Sequence, residues 1–308
     1  MFNFCAVFSF FISTTPGGLS NPQIGILYNT DGLSTFFYCC KNLTKVPVCA
    51  IFCSLNFVFN KKDRLYKVKL LDFYRECVAL VRRDLAKQKM LLPPDAIADL
   101  CEQHHRQHRS LIEKLNSADN TPHKIFAVQK AFPRTGAVRA DFDALALAKN
   151  FESQKAAALA VVTEKHFYCG EPSMLTGVAH MVNLPIIRWD FITDVYQLMQ
   201  SKLWGADAVR VIVPLLDQVE LTEIYEKASL LGLEIIWELH SEADAGRIAE
   251  FTQAAVIYID GDELELAAAE NIVKKIPQNA PALLNGDLFD LSADAGNAFD
   301  GAIYFAPR

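Results

Sequence analysis

Between Leu184 and His240 the chain reads LPIIRWDFITDVYQLMQSKLWGADAVRVIVPLLDQVELTEIYEKASLLGLEIIWELH. Three short apolar runs, Pro185–Phe191, Ala208–Leu215 and Leu233–His240, alternate with two helical patterns. The runs are rich in Ile and Val and too short for helices. Between them Tyr196, Leu198, Met199 and Leu203 recur at helical spacing, as do Leu221, Ile224, Tyr225 and Ala228. This spacing predicts parallel strands joined by crossover helices. The near-continuous apolarity of the runs fits strands covered on both faces.

The same alternation extends in both directions. Further candidate strands are Lys124–Gln129, Ala158–Thr163, Ala255–Asp260, Ala280–Asn285 and Gly301–Phe305. Candidate helices include Asp141–Ser153, with Leu145, Ala148 and Phe151 inward, and Glu242–Phe251; the loop Gly170-Glu171-Pro172-Ser173 enters another, with Ser173 as its cap. Eight strands in βα order, with no Gly-rich phosphate loop after the first, predict an α/β fold. The closed (β/α)8 TIM barrel is favoured over an open doubly wound sheet. Arg308 directly follows the eighth candidate strand, so the barrel is expected to lack its last helix.

Ahead of the barrel, Leu70–Leu115 reads as a helical lead-in with a stripe of Leu71, Tyr74, Val78, Leu80 and Val81. Pro93-Pro94 breaks it, and Asp95 begins a second helix. That second helix is expected to carry Cys101, His104, His105 and His108 on one face. One straight helix cannot surround a tetrahedral ion. With no second cluster to complete the ligands, a solvated polar face is predicted and no metal site.

Residues 1–65 differ in character. Five of the eight cysteines, Cys5, Cys39, Cys40, Cys49 and Cys53, fall there. MFNFCAVFSFFIS lacks the basic start of a signal peptide, and VPVCAIFCSLNFVF is shorter than the roughly 20 residues of a spanning helix. Asn42-Leu43-Thr44 is a glycosylation sequon, meaningful only in the secretory pathway. The leading expectation is a disordered or irregular extension, an over-long start; a membrane-associated tail and a folded appendage stay open. Residues 66–308 form the second unit. Only Cys77, Cys101 and Cys169 lie in it, an ordinary count for a reducing cytosol, so a cytoplasmic protein is expected. A net charge of −6 gives no attraction for nucleic acid.

Several segments resemble the indole-3-glycerol phosphate synthase family. DFDALALAKNFE is similar to the family's first barrel helix, and AVVTEKHFYCG to its second strand and loop. LPIIRWDFITDVYQ resembles the family's LPVLRKDFIIDPYQ, WGADAVRVIV its AGADAVLLIV, and LGLEIIWELHSEAD its LGMEVLVEVHDEEE. The resemblance spans roughly Leu71–Arg308. It implies a decarboxylating ring closure of 1-(2-carboxyphenylamino)-1-deoxyribulose 5-phosphate in tryptophan biosynthesis, without a cofactor. The family uses a general-acid Lys on the third strand. A Glu and a second Lys on the first strand and a Glu on the fifth assist, and amides after strands seven and eight hold the phosphate.

Carried over residue by residue, the fold-making positions match and the chemical ones mostly do not. The third-strand Lys falls on Trp189, expected to pack into the old pocket. The first-strand Glu and Lys fall on Ala127 and Gln129; moving Lys130 into register would break the match at Pro133 and face it off the barrel axis. The fifth-strand Glu matches as Glu238. INNR on the sixth strand becomes Asp260, Gly261 and Asp262 after Ile259, and SESG on the seventh becomes Leu284, Asn285, Gly286 and Asp287. Phe167 and Tyr168 match an apolar loop position, His240 parallels the family's VH, and Arg210 is expected to pair with a carboxylate.

The expected catalytic residue is therefore Glu238, and the expected substrate-binding residues are Gln129, Trp189, Phe167, Asn285 and Gly286. A mouth holding Glu238, Asp260, Asp262 and Asp287, with the expected Lys and Arg absent, should repel a substrate bearing carboxylate and phosphate. Each such contact at about 4 Å costs about 1–4 kcal/mol. The favoured reading is a non-catalytic barrel, a pseudoenzyme, that binds a small anionic or aromatic ligand or a partner protein. The alternative is an active indole-3-glycerol-phosphate synthase, a carboxy-lyase, using Glu238 and non-standard partners. No membrane association is expected of the barrel.

Overall fold

The computed structural model describes residues 70–117, 122–133, 137–251, 255–260, 264–276, 280–289 and 298–305, with five short strand segments ahead of residue 70. Those five segments pair antiparallel with one another, and among the described residues no barrel strand pairs with them, so this part stands apart from the barrel as an extension. The sequon at Asn42 and Cys5, Cys40, Cys49 and Cys53 lie outside the described residues, as do Asp262 and the stretch after residue 305 where a last helix was expected to be missing.

The eight expected strands all form. They are β1 (His123–Val128), β2 (Ala158–Val162), β3 (Ile186–Trp189), β4 (Ala208–Ile212), β5 (Glu234–Leu239), β6 (Ala255–Ile259), β7 (Ala282–Asn285) and β8 (Gly301–Tyr304). Each pairs in parallel with its neighbours, and β8 closes on β1 with Gly301 opposite His123 and Ile303 opposite Ile125. The result is a (β/α)8 barrel. Strand neighbours alternate between faces. Ile125, Ala127, Ile187, Ile236, Leu283 and Ile303 point inward, while Phe126, Val128, Val209, Val211, Trp237 and Leu284 pack outward under the helices.

Helix α1 (Leu70–Leu91) buries Leu70, Tyr74, Cys77, Val78 and Leu85 along one stripe and stops before Pro93-Pro94. Helix α2 (Pro94–Gln103) starts on a proline, whose fixed φ suits the first turn. It ends at His104, which is extended at φ −87° and ψ 105°. Cys101, His104, His105 and His108 therefore do not share a helical face, contrary to the expectation. Residues beyond His104 leave the helix because their side chains and amides have partners on the barrel floor.

Those partners are Asp207, just ahead of β4, and Glu234, the first residue of β5. Asp207 accepts from Arg106 Nη1 (2.8 Å), Arg109 N (3.0 Å), Arg109 Nε (3.2 Å) and Ile186 N (2.9 Å). Glu234 accepts from Ser110 Oγ (2.5 Å), Leu111 N (2.7 Å) and Ile112 N (3.2 Å). Glu234 thus satisfies the first orphan amides of α3 (Leu111–Leu115), and the Ser110 hydroxyl accepts that of Glu113. Leu111 and Leu115 join the inward-facing cluster and stopper the barrel from below.

The remaining helices are α4 (Ala144–Ser153), α5 (Pro172–Met181), α6 (Val195–Trp204), α7 (Gln218–Leu231), α8 (Glu242–Arg247) and α9 (Leu266–Val273). Asp143 caps α4, which buries Ala148 and Phe151 as expected. The expected cap of α5 is wrong: Glu171 takes that position, and Ser173 Oγ bonds its carboxylate at 3.2 Å instead of an amide. The run ending at Leu215 leaves the strand at Val213, where Pro214 removes a ladder donor and a 3-10 turn begins.

Candidate functional site

The strand ends open on a cavity of about 240 Å³. That is smaller than the roughly 300–1,000 Å³ of pockets for drug-sized ligands. Gln129, Trp189, Asp260 and Asn285, from the ends of β1, β3, β6 and β7, reach it, with Asp287 and Leu288 from the loop after β7. Tyr74 of α1 and Tyr168 of the loop after β2 complete the wall.

Glu238 lies beneath this cavity, fully buried. Arg210 Nε donates to its Oε2 at 2.5 Å, and His240 Nε2 lies 2.8 Å from its Oε1. Arg210 Nη2 donates to the Tyr74 hydroxyl at 3.1 Å. The guanidinium also sits over aromatic rings, 4.6 Å from the centroid of Trp189 and 5.1 Å from that of Tyr74. Arg210 does pair with a carboxylate, as expected. It is not among the described residues that line the cavity; β4 pairs with β5 so that Arg210 stands opposite Ile236, and its side chain reaches Glu238 two residues further along.

Burial alone would raise the Glu238 carboxyl, but the Arg210 charge and the His240 contact outweigh it and lower its pKa from the ordinary 4.5 to about 2. Burial would lower His240, yet its contact with Glu238 raises it above the ordinary 6.5. The two groups titrate with opposite consequences. Glu238 stabilises the fold above pH 4.5, and that contribution fades as pH falls toward about 2. The His240 contribution is complete below pH 6.5 and is lost as pH rises through its raised value. Urea unfolding at a series of pH values should show stability falling on the alkaline side. His240→Asn should flatten that limb and leave the acid limb in place.

Trp189 packs as expected, edge-on to Tyr258 at 5.3 Å and tilted against Phe305 at 5.3 Å. It narrows the pocket without filling it. Gln129 Nε2 donates to the Ala131 carbonyl at 2.7 Å. Asn285 Oδ1 accepts the Asp287 amide at 3.0 Å. The Gly286 amide donates to the Ile303 carbonyl at 2.8 Å, so it is turned toward β8. A Cβ on Gly286 would stand 2.3 Å from the Tyr304 ring, so only glycine fits. Lys130 does not line the cavity.

Phe167 does not line it either. The loop after β2 is wound around Glu164, whose carboxylate accepts the amides of His166 (2.7 Å), Phe167 (2.7 Å) and Tyr168 (3.0 Å). Gly170 closes the loop within 2.3 Å of the Val162 carbonyl, measured from where a Cβ would be. This winding sends Tyr168 to the cavity and Phe167 under α1, edge-on to Phe73 at 5.0 Å. Tyr74, Phe132 and Phe305 are lining residues that sequence reasoning missed, and Tyr74 comes from outside the barrel strands and their loops. Tyr74 was visible in the α1 stripe, but periodicity cannot tell which inward residue reaches the mouth.

The family model described as "Indole-3-glycerol phosphate synthase" matches residues 75–280. The chain belongs to the indole-3-glycerol phosphate synthase family. A relative of that name from Campylobacter jejuni subsp. doylei is 34% identical over 203 residues, 64% of this chain and 78% of its own length. The indole-3-glycerol phosphate synthase of Campylobacter concisus is 30% identical over 221 residues, 70% of this chain and 84% of its own. That of Neisseria meningitidis serogroup B is 32% identical over 185 residues, 59% and 71% respectively. Within this indole-3-glycerol phosphate synthase-like barrel, then, Trp189 packs among aromatic rings and Glu238 is sealed in an ion pair.

Proposed function

We propose that this member of the indole-3-glycerol phosphate synthase family has lost the decarboxylating ring closure of tryptophan biosynthesis and uses its barrel, taken as residues 66–308, for binding. One observation carries the reading. Both oxygens of Glu238 are committed, to Arg210 and His240, in a site closed to solvent. A carboxylate at about pKa 2 is a feeble base, and the indole N–H of Trp189 can donate a hydrogen bond but is far too weak an acid to protonate a ketone. Arg210 does not replace the missing acid, because a guanidinium stays protonated. Losing the positioned acid alone costs about 10²–10⁴ in rate.

Cys77, Cys101 and Cys169 are free thiols, which supports a reducing, cytoplasmic setting. No described helix is long and apolar enough to cross a membrane.

The test is turnover of 1-(2-carboxyphenylamino)-1-deoxyribulose 5-phosphate by the purified chain, followed by fluorescence of the indole product. No formation above the blank is expected. Turnover above the blank would sink the reading, and its loss in a folded Glu238→Gln variant would assign the activity to that carboxylate.

A further inference from the structure

The cavity beside Trp189 has a chemistry of its own. Its apolar walls are mainly aromatic, with Phe132, Tyr168, Trp189 and Phe305 beside Pro133 and Leu288. Its polar residues are Gln129, Asn285, Asp260 and Asp287, and no described lining residue is Lys, Arg or His. Arg210 lies below, 1% exposed and bonded to Glu238.

The polar set is rich in acceptors. The bond from Gln129 Nε2 to the Ala131 carbonyl fixes that amide's orientation, because a carbonyl only accepts. It leaves Gln129 Oε1 buried with no hydrogen-bond partner. A carboxylate has about four acceptor positions. Asp287 accepts the Phe305 amide at 2.8 Å, and Asp260 lines the pocket from the end of β6.

We propose that this cavity binds a flat aromatic molecule of one or two fused rings that carries an amine or ring N–H and no anionic group. The inference rests on the reading above that the doubly anionic family substrate is not the ligand of this chain. Size sets the ring count: an apolar cavity of about 150 Å³ holds a benzene, and this one measures about 240 Å³. The rings pack against Trp189, Tyr168 and Phe305. The donor meets the acceptors at the rim. An acid in the same place would meet the two aspartates.

Three quinolines substituted at one position separate these terms in calorimetric titrations of the full chain. 2-Aminoquinoline should bind one per chain, about tenfold or more tighter than 2-methylquinoline, the size of one hydrogen bond to a charged acceptor. Quinoline-2-carboxylate should bind more weakly than either. Asp260→Asn and Asp287→Asn together should shrink the amino-to-methyl ratio to about threefold or less. Trp189→Leu should weaken all three probes. If Trp189→Leu does not fold, the paired asparagine variant at the rim carries the test. Equal affinity for the amino and methyl probes, tighter binding of the carboxylate, or no binding of the amine at millimolar concentration overturns the proposal. Such a result without turnover of the family substrate refutes only this ligand class, whereas turnover refutes the earlier reading.

Discussion

Glu238→Gln should destabilise the protein by about 3–5 kcal/mol, the cost of leaving a buried charge without its partner. Glu238 and Arg210 have side chains 0% and 2% exposed, so water cannot stand in for the lost carboxylate. The glutamine keeps the shape and one acceptor, so the loss reports charge and not volume. His240 loses its anionic neighbour at the same time. Urea denaturation at pH 6 measures the effect directly. A variant carrying both Arg210→Met and Glu238→Leu removes the pair together, and it should recover most of the loss because no charge is stranded. A Glu238→Gln protein as stable as the parent would mean that the pair does not hold the barrel. The argument against catalysis by Glu238 would fall with it.

Asp207→Ala should be the next most damaging change, at about 3 kcal/mol. Asp207 ties two separate pieces of chain to the start of β4, the 106–109 segment through Arg106 and Arg109 and the start of β3 through the Ile186 amide. Burial pushes the Asp207 carboxyl up despite the arginines, so the ion pairing does not fully offset desolvation. What the alanine variant loses is mainly satisfaction of donors, above all the buried Ile186 amide. Asp207→Asn keeps an acceptor and should therefore cost clearly less than Asp207→Ala in the same denaturation series. Equal losses for the two would place the effect in the charge alone. Proteolysis between Gln103 and Ser110 should also accelerate in the alanine variant, because the floor segment loses its anchor.

The barrel was legible because its strands are buried on both faces and read as unbroken apolar runs. Ala158–Val162 and Ala255–Ile259 leave no other assignment once strand and helix alternate. Helix ends were less legible. His104 looks helical from its spacing, and only the distant Asp207 and Glu234 explain why the helix stops there. At the mouth, Glu238 and Trp189 were found by matching positions. The partner of Arg210 follows from the register of β4 on β5, which no local pattern encodes. Phe167 and Tyr168 are adjacent and equally aromatic, and the coil wound around Glu164 decides which of them meets the cavity.

The ring of strands is sealed where His123 meets Gly301. Residues so far apart in the chain must be brought together before the seam returns any bonding energy, so folding of this barrel is delayed until its last strand has been supplied. Until then β1 and β7 each show a raw edge to other chains, and the hazard of misassociation is concentrated in that interval.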